Sequence, residues 1–220
     1  MHKYVIMGKQ GSGKGTQAAM LGKAFDLTHI SVGDIFRWHV HAHTKLGAKV
    51  TRIVAAGQLV GDEVVEDIVH QRLQEHDWNY GFILDGFPRN STQAEFFLES
   101  YDVDAVIHID IPDKVVVERV MGRRVCADCG LDFHLIFHRP EKEGICDVCG
   151  GKLVPRSDDN EDSLRARLND FNEKTRPTLD LFERKELVVT IDGTPPRDEV
   201  FAGVCAALNL PTPQPAAAAE

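Results

Sequence analysis

The sequence predicts an α/β protein: a parallel sheet covered on both faces by helices, with two small lobes inserted into that core. Three observations carry this. Short apolar runs recur at Lys3–Met7, Tyr80–Leu84, Ala105–Ile109 and Leu187–Ile191, the last two mostly Ile and Val. Longer stretches of helical spacing lie between them, as in Val64, Val65, Ile68, Val69 and Leu73. Strands alternating with helices are the pattern of a parallel sheet buried on both faces. Two stretches, 31–60 and 122–159, break the alternation and read as the inserted lobes.

Along the chain, Lys3–Met7 is closed by a glycine-rich turn, Gly8 to Gly15, and followed by a helix with Ala18, Ala19, Leu21 and Phe25 on one stripe. Residues 31–60 are helix-like without a strand: Ser31-Val32-Gly33-Asp34, a helix from Ile35, a break at Gly47, and a second helix to Gly57. Asp62-Glu63 places acidic residues in the first turn of the next helix, favourable to its dipole. The core is thus expected over 1–30, 61–121 and 160–210. Cys205 shares a helical stripe with Phe201 and Leu208 and is read as core; Trp38 and Trp78 are read as packing residues. The tail over 211–220, three prolines followed by four alanines and Glu220, has nothing to bury and is expected to be disordered.

Composition narrows the classes. The chain has 220 residues and a formal charge of −9, from 34 Asp+Glu against 25 Lys+Arg, with 43% hydrophobic and 27% charged residues. No apolar run approaches the ~20 residues of a membrane span, and the apolar N-terminal run stops at Gly8, short of a secretory h-region of about 7–15 residues. The acidic balance argues against a nucleic-acid coat, which releases counterions through a basic face. A soluble cytoplasmic protein, without nucleic-acid or membrane partners, is expected.

The strongest short motif is Gly8-Lys9-Gln10-Gly11-Ser12-Gly13-Lys14-Gly15-Thr16, placed after a strand and before a helix. Glycines there let backbone N–H groups converge on phosphate oxygens at a helix N-terminus, and Lys14 reaches the β- and γ-phosphates. Gly15 stands where Ser or Thr is expected, and Thr16 follows one place later. Phe82-Ile83-Leu84-Asp85 ends a second strand on an acid. Ligands of open α/β sheets bind beyond the C-terminal strand ends, so Lys14 and Asp85 belong at one edge, where Asp85 can hold Mg²⁺ directly or through water. Arg37, Arg89, Arg119, Arg123, Arg156 and Arg167 fall near proposed ends or hinges, and Arg119 and Arg123, four apart, are expected on one helix face. There is no Asn-Lys-x-Asp, no His-Arg-Asp and no general base beside the phosphate loop. A phosphate acceptor, with a second pKa of about 6, is already an anionic nucleophile and needs only positioning and charge stabilisation.

Cys126-x2-Cys129-x16-Cys146-x2-Cys149 has the spacing of a four-thiolate site. Four protein ligands leave no open position, so a structural Zn²⁺ is expected, with Fe or Co able to occupy the same sulfur set. Between these cysteines Asp128, Asp132, Glu141, Glu143 and Asp147 outnumber Arg139 and Lys142, against a nucleic-acid footprint. His39, His41 and His43 are read as an exposed helix face, with His39 and His43 on one side.

These motifs together resemble the adenylate kinases, specifically the long form with a four-cysteine lid, from about Tyr4 to Leu208. The resemblance rests on residues 8–16; Ile30-Ser31-Val32-Gly33-Asp34 with Arg37; Gly57-Gln58-Leu59-Val60; Asp85-Gly86-Phe87-Pro88-Arg89 with Gln93; Gly122-Arg123-Arg124-Val125-Cys126; Arg156-Ser157-Asp158-Asp159; and Arg165-Ala166-Arg167-Leu168. It implies a P-loop nucleoside monophosphate kinase fold with a five-stranded parallel sheet, an AMP lobe at 31–60 and a lid at 122–159. It further implies transfer of the ATP γ-phosphoryl to AMP, giving two ADP, by a monomer using Mg²⁺.

Residue by residue, the resemblance implies that Gly11, Ser12, Gly13, Lys14, Gly15 and Thr16 cradle ATP, with Arg119 on its base and Arg123 on its phosphates. Lys14, Arg123, Arg156, Arg167 and Asp85 serve the transfer. Val32, Arg37, Gln58, Leu59, Val60, Gly86, Arg89, Gln93, Arg156 and Arg167 hold AMP. The chain departs from the family at Lys9-Gln10, usually Ala-Pro or similar; at Val32, usually Thr in bacterial members; and at Asn90, shared with kinases that phosphorylate UMP and CMP. Those kinases remain the alternative, and a zinc-containing P-loop ATPase a more distant one.

Overall fold

The structure is a computed structural model and describes residues 2–156 and 158–212. Met1, Ser157 of the Arg156–Asp159 motif, and 213–220, most of the tail expected to be disordered, lie outside the described residues. The chain runs through β1 (Lys3–Met7), α1 (Lys14–Phe25), β2 (Thr28–Ser31), α2 (Val32–His41), α3 (Lys45–Ala55), α4 (Asp62–Glu75), β3 (Phe82–Asp85), α5 (Ser91–Ser100), β4 (Ala105–Asp110) and α6 (Asp113–Gly122). It continues through β5 (Arg123–Cys126), β6 (Asp132–His134), β7 (Leu153–Val154), α7 (Glu161–Asp170), a π-helical turn Phe171–Thr175, α8 (Arg176–Glu183), β8 (Val188–Asp192) and α9 (Arg197–Ala207).

Five strands form one parallel sheet in the order β2-β3-β1-β4-β8. Side chains alternate across β1, as period 2 demands. Val5 and Met7 pack with Phe82, Leu84 and Val106 against Val65, Val69 and Leu73 of α4, Phe97 of α5, and Leu179 and Phe182 of α8. Tyr4 and Ile6 pack with Ile83, Ile107 and Ile109 against Ala18 and Leu21 of α1 and Val200, Phe201, Val204 and Cys205 of α9. Cys205 is therefore core, as expected. A second, antiparallel sheet, β6-β5-β7, lies within 122–159.

Several local expectations change. The helix expected from Ile35 begins at Val32, capped by the Ser31 hydroxyl accepting from the Asp34 N–H. The break expected at Gly47 falls at residues 42–44, where Thr44 caps α3 through the Gly47 N–H. Gly47 itself lies inside α3: a Cβ there would come within 2.0 Å of the His39 carbonyl oxygen, so only glycine lets α2 and α3 pack this closely. The strand placed from Tyr80 starts at Phe82, because Trp78–Tyr80 form a short 3₁₀ turn that leaves Tyr80 exposed. Ala19 faces solvent instead of joining the α1 stripe. Trp38 is 60% exposed and is not a packing residue, whereas Trp78 packs edge-on to Tyr101 with the Lys3 ammonium 4.3 Å from its ring. His41 ends α2 and His43 lies beyond it with positive φ, so His39 and His43 share no helix face; His39 is half-buried and bonds Thr44 Oγ1 at 2.9 Å.

Candidate active site and metal centre

The phosphate loop bends from β1 into α1 through Gly8, Gly11 and Gly13, all at positive φ. A Cβ on Gly8 would meet the Ile109 carbonyl at 2.5 Å, so the loop lies directly against the end of β4. Gly15 explains its own departure from the common motif: a side chain would start 3.3 Å from Asp85 Oδ2, already tight against that carboxylate. The register Ile6–Asp85 between β1 and β3 brings the acid there. Asp85 Oδ1 and Ser12 Oγ are buried without a hydrogen-bond partner. Buried polar atoms of this kind are satisfied by a ligand, an ion or its water, and a carboxylate facing a phosphate loop is the donor set Mg²⁺ takes.

Lys14 is the first residue of α1. Burial, reinforced by the charges of Arg89, Arg123 and Arg156 against the opposing pull of Asp85, pushes its ammonium down from 10.5 to about 8. The same forces act on the acceptor side. Arg89, after β3, is pushed down to about 10 by burial and by Arg167 and Arg37, with Asp85 partly compensating. Its Nε donates to the Gly86 carbonyl at 2.8 Å. Arg37, on α2, is lowered by burial and by Arg156, and pairs with Asp34. Lys14, Asp85, Arg37, Arg89, Arg123, Arg156 and Arg167 thus share one cleft at the C-terminal edge of the sheet.

Two acids restrain the arginines. Asp158 accepts both Arg156 Nε at 3.0 Å and Nη2 at 2.8 Å, and Arg167 Nη2 at 2.5 Å. Burial raises its carboxyl, but the two guanidiniums outweigh burial and hold it well below the carboxylate range. Asp159 takes Arg123 through a fork of 2.8 and 2.6 Å, and also Gln10 Nε2 at 2.7 Å. Gln10 therefore ties the phosphate loop to the 122–159 segment, and Lys9 bonds Asp113 Oδ1 at 2.7 Å, so both departures in the loop are engaged. Arg119 and Arg123 do not share a helix face. Helix α6 ends at Gly122 and Arg123 turns into β5, so Arg119 goes elsewhere. Its Nη2 donates to the Thr194 carbonyl at 3.2 Å, and its guanidinium lies 5.4 Å from the Phe137 ring.

The remaining expected nucleotide-site residues differ in burial. Val32 is buried with Ile30 and Phe36; Val60 is buried, Leu59 half-buried and Gln58 exposed, and Thr16 is exposed too. Gln93 is buried, its Oε1 accepting the Arg89 N–H at 2.8 Å. Sequence reading assigned no role to Gln10, Asp158, Asp159 or Phe137. The two acids beside Arg156 were a signal, since buried arginines need counter-charge; Gln10 and Phe137 carried none.

The four cysteine sulfurs lie within 4.8 Å of one another, with Cys126–Cys149 at 3.3 Å and Cys129–Cys146 at 3.6 Å. A tetrahedral ion with bonds of ~2.3 Å needs edges of about 3.8 Å, so the set fits a metal ion. The two halves repeat one local geometry. Cys126 N–H donates to the Leu131 carbonyl and Gly130 N–H to the Cys126 carbonyl; Cys146 N–H donates to Gly151 and Gly150 N–H to Cys146. Gly130 and Gly150 both take positive φ, which is why each pair is followed by glycine. The Cys129 and Asp128 N–H groups point at the Cys126 sulfur and lower its thiol to about 6.

Comparison with known proteins agrees with this geometry. A family model described as adenylate kinase matches residues 6–187. The adenylate kinase of Clostridium tetani is 42% identical over 205 residues, covering 91% of this chain and 95% of the relative. That of Caldicellulosiruptor bescii is 44% identical over 196 residues, covering 87% and 91%. That of Symbiobacterium thermophilum is 44% identical over 209 residues, covering 93% and 96%.

Proposed function

The chain belongs to the adenylate kinase family, and from that premise we propose that it reversibly transfers the ATP γ-phosphoryl group to AMP, giving two ADP. One observation carries the reading: Lys14 of the phosphate loop lies within reach of the charges of Asp85, Arg89, Arg123 and Arg156, a cationic set around one carboxylate. Gly11 to Thr16 cradle the ATP phosphates, and Arg119 lies along its base. Arg37 and Arg89 hold the AMP phosphate, whose oxygens need no deprotonation. Arg123, Arg156 and Arg167 spread the developing charge of the transferring group. Until then Asp158 and Asp159 keep those guanidiniums aligned. Asp85 would hold Mg²⁺ or its water, and the ion, when bound with ATP, would offset phosphate charge. The AMP base sits against Val32, Gln58, Leu59, Val60, Gly86 and Gln93.

Residues 31–60 act as the AMP lobe and 122–159 as the lid, held by Zn²⁺ on Cys126, Cys129, Cys146 and Cys149. Closing them excludes water and protects ATP from hydrolysis. Asn90, the residue shared with UMP and CMP kinases, is engaged internally: it caps α5 and bonds Asp62, which supports AMP as acceptor. The enzyme works as a monomer in the cytoplasm, both nucleotides meeting in a cleft of one chain. Among the described residues no helix is long and apolar enough to cross a membrane. A coupled assay offering AMP, UMP, CMP and GMP tests the reading. AMP is expected to turn over fastest; faster turnover of UMP or CMP refutes it.

A further inference from the structure

We infer that Asp62, together with the Arg89 backbone N–H, sets which nucleobase Gln93 can read, an inference that rests on the reading of Gln93 as part of the AMP site. Gln93 is 1% exposed, so its amide cannot turn freely in water. Its Oε1 accepts the Arg89 backbone N–H at 2.8 Å, and its Nε2 donates to Asp62 Oδ1 at 2.7 Å. A backbone N–H can only donate and an ionised carboxylate can only accept. The amide therefore has one permitted orientation. Asn90 strengthens the arrangement: its Nδ2 donates to the same Asp62 oxygen at 2.8 Å, and its Oδ1 accepts the Gln93 N–H at 2.9 Å. Asp62 opens α4, directly after the segment that carries Gln58, Leu59 and Val60.

Each end of the locked amide keeps one valence: a second lone pair on Oε1 and a second hydrogen on Nε2. An acceptor beside a donor is complementary to the 6-amino edge of adenine, whose amino group donates and whose ring nitrogen accepts. On its N1 side a 6-oxopurine presents the reverse pattern, O6 accepting and N1–H donating. Reading it requires the amide turned over, with Nε2 facing the Arg89 N–H and Oε1 facing the Asp62 carboxylate. Both would be buried mismatches. Asp62 is thus a positioning residue that acts through Gln93 and discriminates amino from oxo bases.

The test compares AMP with IMP, which differ at this edge, on the full-length, metal-loaded protein. It uses kcat/KM and, independently of turnover, Kd by calorimetry. Asp62→Asn can offer either an acceptor or a donor, and Asp62→Ser offers a hydroxyl able to do both. For each variant that melts cooperatively, the AMP-over-IMP ratio is expected to fall at least about tenfold, mainly through tighter IMP binding. An unchanged ratio, or equal losses for both nucleotides, overturns the inference and leaves Asp62 a structural residue. The wild-type assay with AMP tests the underlying reading separately: failure to turn over AMP sinks the proposed reaction whatever the variants do.

Discussion

The parallel sheet and the cysteine lobe are built on opposite principles. Val5, Ile6, Leu84 and Ile107 have no exposed surface, and helices bury both faces of their sheet. At ~1.5–3 kcal/mol for each fully buried apolar side chain, burial alone can hold that region. The lobe's buried cluster is Cys126, Phe133, Cys146 and Leu153, and two of these are sulfur ligands. Meanwhile Ile136, Phe137 and Val148 lie more than 60% exposed. A region with so little core needs a cross-link, and the four sulfurs are placed to supply one by holding a metal ion. One chain thus relies on burial in its sheet and, in the lobe, on four sulfurs placed to hold a metal ion.

The comparison can be broken first at the metal. Stripping it with a strong chelator removes a stabilisation of about 10 kcal/mol or more from the lobe, and Cys146→Ser, which leaves three thiolates, removes part of it. A calorimetric scan should then show an early transition assigned to 122–159, ahead of melting of the sheet. Activity at mild temperature should fall far less than thermal stability. A single unchanged transition would show that the lobe does not depend on its ion. In the sheet, Phe97→Ala opens a cavity beneath Phe82, Phe87 and Tyr101. It should cost about 3–5 kcal/mol in denaturant unfolding while the metal content stays the same.

Lys14 links stability and binding with opposite signs. Its folded value of about 8 lies below the ordinary 10.5, so between those values the unfolded chain holds the proton and the ligand-free fold does not. Stability from this group therefore rises with pH across that window. Phosphate binding prefers the protonated ammonium, so ATP should bind with net proton uptake near pH 8 and more weakly above it. Calorimetry in buffers of different ionisation enthalpy measures the uptake; none would mean that Lys14 is already charged in the free protein. The smallest effect sharpens how the two regions meet. Gln10→Ala removes one hydrogen bond from Asp159, worth about 0.5–1.5 kcal/mol. It should raise the KM for ATP a few-fold without moving the melting temperature of the sheet.

The sheet core was legible because its signal is repetitive: apolar runs with helical stretches between them. The phosphate loop and the cysteine set were legible because their chemistry constrains neighbours in sequence. Strand β2 was not read from its residues, since Thr28-His29-Ile30-Ser31 contains a single aliphatic residue and takes its place by pairing with β3. The break between α2 and α3 was misplaced because glycine normally marks an end, and here Gly47 answers to a helix packed against it. Arg119 and Arg123 were joined by spacing alone, and the turn from α6 into β5 separates them.

By itself, the sequence determined what local patterns can encode: a phosphate loop before a helix, acids and arginines at element ends, and four thiolates in two repeated turns. Each depends on residues within a few positions of one another, so the chain's order suffices. Only the tertiary structure decided which charges share a cleft. Arg37, Arg89, Arg156 and Lys14 come from separate elements, and burial brings them close enough to shift one another's protonation. Tertiary structure also gave Asp158 its second arginine, Arg167, Gln10 its reach to Asp159, and Gln93 a single amide orientation. Those partners are set by packing between distant segments, and no spacing in the sequence records them.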